Sequence, residues 1–165
     1  MIPSHAAARF VIKTANREHL KKATNELEKC AKAAAQATNT TLQFNAFRHP
    51  FEDMYNLPSG MQAFKSNLEA LGVEVRDIGH LGRRNLSDVG NVSHVVPTIY
   101  TFIGIGPNAT RPHTIEFRET AISQEAHDAL MIASKSLAMT AIDIFTDTEL
   151  LKRMRNEFEQ GHPKP

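Results

Sequence analysis

At 165 residues with 41% hydrophobic side chains, the chain is long enough to bury the core of one domain, or of one domain and part of another. Its 19 lysines and arginines nearly cancel 18 acidic residues, which leaves no electrostatic footprint for nucleic acid or for an anionic membrane surface. No apolar run approaches the roughly 20 residues that span a bilayer, and no basic stretch followed by an apolar core opens the chain, so a cytoplasmic protein with neither a membrane nor a nucleic-acid partner is expected.

Ala6 to Ile12 is a short apolar run just after Pro3 and reads as a strand. From Asn16 to Thr38, apolar residues recur at Leu20, Ala23, Leu27, Cys30, Ala31 and Ala34, the spacing of one face of a helix, with Asn16 as N-cap. Cys30 is the single cysteine and cannot close an intrachain disulfide; its place in this pattern predicts a buried, inert thiol. Thr40 to Phe47 alternates, with Leu42, Phe44 and Ala46 on one face, as a half-buried strand does. The three together predict a βαβ unit.

Two prolines and mixed charges between Arg48 and Ser59 mark a connector, and a domain boundary is expected there, giving units 1–50 and 51–165. Ser59 and Gln62 have capping-box spacing ahead of a stripe formed by Met61, Phe64, Leu68 and Leu71, and Gly72 stands where a left-handed C-cap is wanted. Val73 to Leu86 reads as a loop that continues into the polar run Ser87 to His94, and the apolar stretch Val95 to Ile105 reads as a buried strand. Ser123 is placed to cap a helix with Ala126, Ala129, Leu130, Ala133, Leu137, Ala141 and Ile144 on one face. Thr146 and Glu149 repeat the capping-box spacing before Leu150, Leu151, Met154 and Phe158; Lys152, Arg153, Arg155 and Glu157 on that last helix read as a solvated face.

Candidate chemistry concentrates in the second unit. A glycine-containing polar loop leading into a strand, with a histidine soon after the strand ends, is how α/β enzymes place reactive groups at a sheet edge. Asp88 offers a carboxylate, Asn91, Ser93 and His94 offer neutral hydrogen-bonding groups for a substrate amide or carboxylate, and Gly90 exposes backbone amides. Against this stand an Asx-turn at Asp88 and a simply exposed loop histidine at His113, since one imidazole does not make a zinc site. No HExxH, CxxC or GxSxG pattern occurs, and Gly104-Ile105-Gly106 is followed by proline rather than by a helix.

The segment Ser87-Asp88-Val89-Gly90-Asn91-Val92-Ser93-His94-Val95-Val96-Pro97-Thr98, the segment His113-Thr114-Ile115-Glu116-Phe117, and the alanine-rich helix ending Ile144-Phe145-Thr146-Asp147 resemble the C-terminal part of the di-zinc amidohydrolases of metallopeptidase family twenty, related to p-aminobenzoyl-glutamate hydrolase and the aminoacylases. The opening Ile2 to Phe10, with Cys30 and Ala34 to Thr38, is similar to the later part of the lid, or dimerisation, domain which that family inserts into its catalytic domain.

The resemblance implies an α/β fold, with a partial lid βαβ unit in 1–50 and the C-terminal part of a zinc-peptidase-like catalytic domain in 51–165. It implies hydrolysis of amide bonds in N-acyl or N-aminobenzoyl amino acids or dipeptides, with His113 a ligand of a pair of zinc ions and Asp88, Asn91, Ser93 and His94 beside the substrate. No general base is assigned within the chain, because the family's other ligands and its paired glutamates precede the lid. A homo-oligomer, or association with the missing N-terminal portion, is therefore expected, and the competing expectation is a non-catalytic association module.

Overall fold

The computed structural model describes residues 3–76, 87–106 and 111–161. Six helices account for the regular structure of these residues: α1 (Arg17–Thr38), α2 (Pro58–Ala70), α3 (Asp88–Ser93), α4 (Ile115–Thr120), α5 (Gln124–Thr146) and α6 (Thr148–Gly161). The chain divides into two compact units, Met1–Asp53 and Met54–Pro165.

The first unit is built on α1. The Asn16 side chain accepts from His19 N at 2.9 Å and caps the helix. At the other end Asn39 takes a left-handed φ of 53° in the place glycine usually fills, and Thr40 N–H closes the last turn onto Ala35 O at 2.9 Å. Two acids satisfy the helix start from the far end of the unit: Asp53 Oδ1 accepts from Arg17 N at 2.8 Å, and Glu52 pairs with the Arg17 guanidinium at 3.1 Å. Carboxylates there also oppose the positive end of the helix dipole. Along the exposed side, Lys29 beside Glu26 holds that carboxyl below its ordinary value, and Glu26 in turn raises Lys29.

No residue of α1 is buried, and Cys30 is exposed rather than enclosed.

The second unit holds the core. Leu57, Leu150 and Met154 form its centre, with Tyr55, Ala63, Ile99, Ile144 and Phe158 packed around them. Phe64 and Leu68 of α2, and Ala126 and Ala129 of α5, are the other buried apolar residues. Each such larger side chain contributes about 1.5–3 kcal/mol on leaving water. α2 packs on both α5 and α6, and α5 packs on α6. Pro58 opens α2 at its first turn, where a missing N–H costs nothing. Gly72, at φ 81°, ends it with Val73 N–H bonded to Leu68 O at 3.0 Å and Gly72 N–H to Glu69 O at 2.9 Å.

The expected α/β fold is not formed: among the described residues there is no strand and no sheet, and neither the lid βαβ unit nor an α/β catalytic layer exists. Helical periodicity is satisfied within one segment, whereas a strand needs a neighbour for its backbone groups. In the first unit Arg9 and Arg48 lie over the Phe47 ring, at 5.7 and 5.6 Å, yet the segments on either side of α1 make no ladder. In the second, Tyr100 and Phe102 meet edge-on at 5.1 Å, as side chains two apart on an extended chain do. Here a side chain replaces a strand. Asn56 Nδ2 donates to Tyr100 O at 3.0 Å while Tyr100 N donates to Asn56 Oδ1 at 2.6 Å, and Leu57 N adds one backbone bond to Thr98 O at 3.2 Å.

Two caps and one apolar stripe also differ from the reading of the sequence. Ser59 lies inside α2, and its N–H and hydroxyl both donate to Glu157 Oε2, so Glu157 is not part of a solvated face. Asp147, not Thr146, caps α6, accepting from Glu149 N and Leu150 N at 2.9 and 3.0 Å. The expected stripe of α5 is divided: Ala126 and Ala129 face inward, joined by Ser136 and Thr140, while Leu130, Leu137 and Ala141 are exposed. Most of the loop expected over Val73 to Leu86 lies outside the described residues.

Candidate functional site

The run Ser87 to His94, expected as a loop, is mostly helix. Ser87 has extended backbone and its hydroxyl accepts from Val89 N at 3.3 Å, which starts α3 at Asp88. The signal was present: a serine followed by an acid is a helix start, and Val89 and Val92 are three apart. Gly90 and two valines lower the helix propensity enough to mask it.

Helix formation sorts the candidate residues. Asp88 is exposed in the first turn, where its carboxylate suits the helix dipole. Asn91 and His94 are half-buried and both are engaged with neighbours. Ser93 is fully enclosed: its hydroxyl donates to Gly90 O at 2.6 Å and accepts from Tyr55 N at 2.9 Å. With both bonds made inside the protein, Ser93 holds α3 to the segment before α2 and has no hydroxyl proton to offer a substrate.

His113 is exposed, with a left-handed φ of 70°. Such a backbone is uncommon for a residue with a Cβ, though histidine adopts it more readily than most. Thr114 follows as the N-cap of α4, its hydroxyl accepting from Phe117 N at 3.2 Å and donating to Arg111 O at 3.0 Å. The imidazole thus sits on the turn immediately before a capped helix, presented outward.

Among the described residues no three of histidine, cysteine, aspartate and glutamate converge as a metal would require. Zinc takes three or four such donors, so His113 fits as one ligand and the donor set here does not fit a complete centre. An open groove of about 320 Å³ in this unit is lined by Ser59, Ser66, Asp143 and Asp147 among others, and by none of the candidate residues.

No family model matches the chain. It is 34% identical to human Xaa-Arg dipeptidase and 32% identical to the mouse protein of that name, in both cases over 161 residues that make up 96% of this chain and 37% of the relative. It is also 30% identical to one of the subunits of Escherichia coli p-aminobenzoyl-glutamate hydrolase over 74 residues, 45% of this chain and 15% of that protein. The chain spans less than two fifths of the length of the relatives it matches. With similarity running almost end to end, the chain is a homologue of these hydrolases and the counterpart of one part of their length.

Proposed function

We propose that this chain is the C-terminal portion of a metal-dependent amidohydrolase that cleaves the amide bond of a dipeptide or of an N-acyl or N-aminobenzoyl amino acid, and that it has little activity by itself. The observation that carries this reading is the pairing of 96% coverage of the chain with 37% coverage of Xaa-Arg dipeptidase. That relative is named for dipeptides with arginine in second place, which makes such a dipeptide the substrate to try first.

Hydrolysis adds water across the amide: the carbonyl carbon gains hydroxyl and the leaving nitrogen gains the proton. A general base must stand within hydrogen-bond reach of the water, and zinc in this family's chemistry would acidify it. On this chain His113 would be one ligand of the metal pair, with Asp88, Asn91 and His94 of the α3 region beside the substrate. One imidazole supplies neither a donor set nor a base, and no hydrolytic step is assigned to this chain alone.

The test is release of arginine from an Xaa-Arg dipeptide. Pure chain should give almost none, with or without added zinc. Co-expressed with the part of human Xaa-Arg dipeptidase outside the matched segment, it should give chelator-sensitive hydrolysis that His113→Ala abolishes. Strong chelator-sensitive cleavage by the chain alone would refute the reading. A complex with full metal content in which His113→Ala is silent would favour a non-catalytic association module, a reading supported by the many exposed apolar side chains.

A further inference from the structure

α5 carries its side chains the wrong way round for a helix that faces water. Its inner side, toward α2 and α6, presents Ala126, Ala129, Ser136 and Thr140. Its outer side presents Leu130, Met131, Leu137, Ile142 and Phe145, which are 53 to 85% exposed. At about 100° per residue these five fall within an arc of roughly 140°. Elsewhere on the same unit Val95 and Val96, on the turn that closes α3, and Phe102, on the non-helical segment after it, are also exposed. A patch of this kind marks a surface that something else covers.

We infer that the outer face of α5 is a docking surface for the polypeptide portion that the relatives carry outside their matched 161 residues, whether that portion is covalently continuous with this chain or separate. The inference rests on the reading under Proposed function. Nearly two thirds of each dipeptidase lies outside the match, ample to cover both the helix face and the 95–106 segment. The partner required has an apolar layer for α5 and a free strand edge for residues 97–105. A second copy of this chain offers no strand among its described residues. A bilayer is the other apolar cover, since α5 has the length and composition of a membrane-crossing helix. It would, however, leave Asp128 and Lys135 of α5 against hydrocarbon and strip Asn67 of α2 from Thr140 and Asp143.

The test uses Leu137→Glu and Phe145→Glu, at exposed positions where a charge leaves the isolated chain's helix content and melting temperature unchanged. With the non-matched part of human Xaa-Arg dipeptidase co-expressed, wild-type chain should purify as a one-to-one complex. Either substitution should weaken it by at least about tenfold, and peroxide oxidation of Met131 should slow in the complex. Absence of a complex, or one indifferent to both substitutions, overturns the inference. So does a wild-type homodimer that the substitutions disperse, or binding to phosphatidylcholine vesicles that they abolish. A complex broken by Leu137→Glu that hydrolyses no Xaa-Arg dipeptide leaves the docking surface standing and overturns the proposed function; restored hydrolysis in a complex indifferent to both substitutions does the reverse.

Discussion

Glu157 Oε2 accepts two hydrogen bonds from Ser59, one from its backbone N–H at 3.0 Å and one from its hydroxyl at 2.8 Å, so a carboxylate near the end of α6 caps the first turn of α2 across 98 positions of sequence. The same turn of α6 accepts from the Tyr55 hydroxyl through Glu157 O at 3.0 Å. Glu157→Ala should cost about 1–2 kcal/mol in urea denaturation, the value of an N-cap with a charged acceptor. Glu157→Gln, which keeps an acceptor oxygen, should cost less. Equal losses for the two would show that packing of the stem dominates.

Gly60 lies in the first turn of α2, where alanine would ordinarily be favoured over glycine by up to about 1 kcal/mol. A Cβ there would stand 2.7 Å from Ile99 Cγ2 and 3.0 Å from Met154 Cε. The overpacking outweighs the propensity, and Gly60→Ala should lower stability by about 1–3 kcal/mol. Thermal melts of Gly60→Ala alone and with Ile99→Val separate the two effects, because the second substitution should recover part of the loss.

Asn56 is the most informative side chain in the segment before α2, since its amide meets both backbone groups of Tyr100. Asn56→Ala should cost about 1–3 kcal/mol by leaving a part-buried donor and acceptor unmatched. Asn56→Asp can still accept from Tyr100 N but sets a carboxylate against Tyr100 O. It should be no better than alanine above the carboxylate's pKa and should improve as pH falls and the acid becomes a donor. A urea midpoint for the aspartate variant that does not rise on acidification, relative to wild type, would contradict this geometry.

Ser136 is fully enclosed, and its Oγ has no hydrogen-bond partner among the described residues. Ser136→Ala removes that oxygen without changing the helix, so it should be neutral or stabilising by up to about 1 kcal/mol. A loss greater than that would reveal a hydrogen bond at this hydroxyl.

The four long helices, α1, α2, α5 and α6, were legible because their evidence is local. Asn16 and Ser123 announce two starts, Gly72 announces an end, and the stripe through Phe64 and Leu68 closes within a few turns. The strands were inferred from patterns that a helix-poor segment shares. Ala6 to Ile12, Thr40 to Phe47 and Val95 to Ile105 have strand-like composition, but composition does not supply the neighbouring backbone on which a strand depends. The arrangement of the candidate residues was not legible. Ser93 looks like a ligand-binding hydroxyl until its two internal partners, Gly90 and Tyr55, are seen, and Tyr55 is 38 positions away. No local pattern announces a bond of that span.

Asn67 has a consequence for the way α5 is turned. Rolled half a revolution, the helix would bring Met131, Ile142 and Phe145 against α2 and α6 in place of Ala126, Ala129, Ser136 and Thr140. The Asn67 amide prevents this: it donates to Thr140 Oγ1 at 3.1 Å and to Asp143 Oδ2 at 2.7 Å, and only the present rotation puts those two oxygens within its reach. A buried polar contact of this sort adds little stability but selects one orientation from several of similar energy. Asn67 therefore acts as a key that fits a single rotational setting, so that the greasy side of the helix stays turned outward instead of being consumed by its own fold.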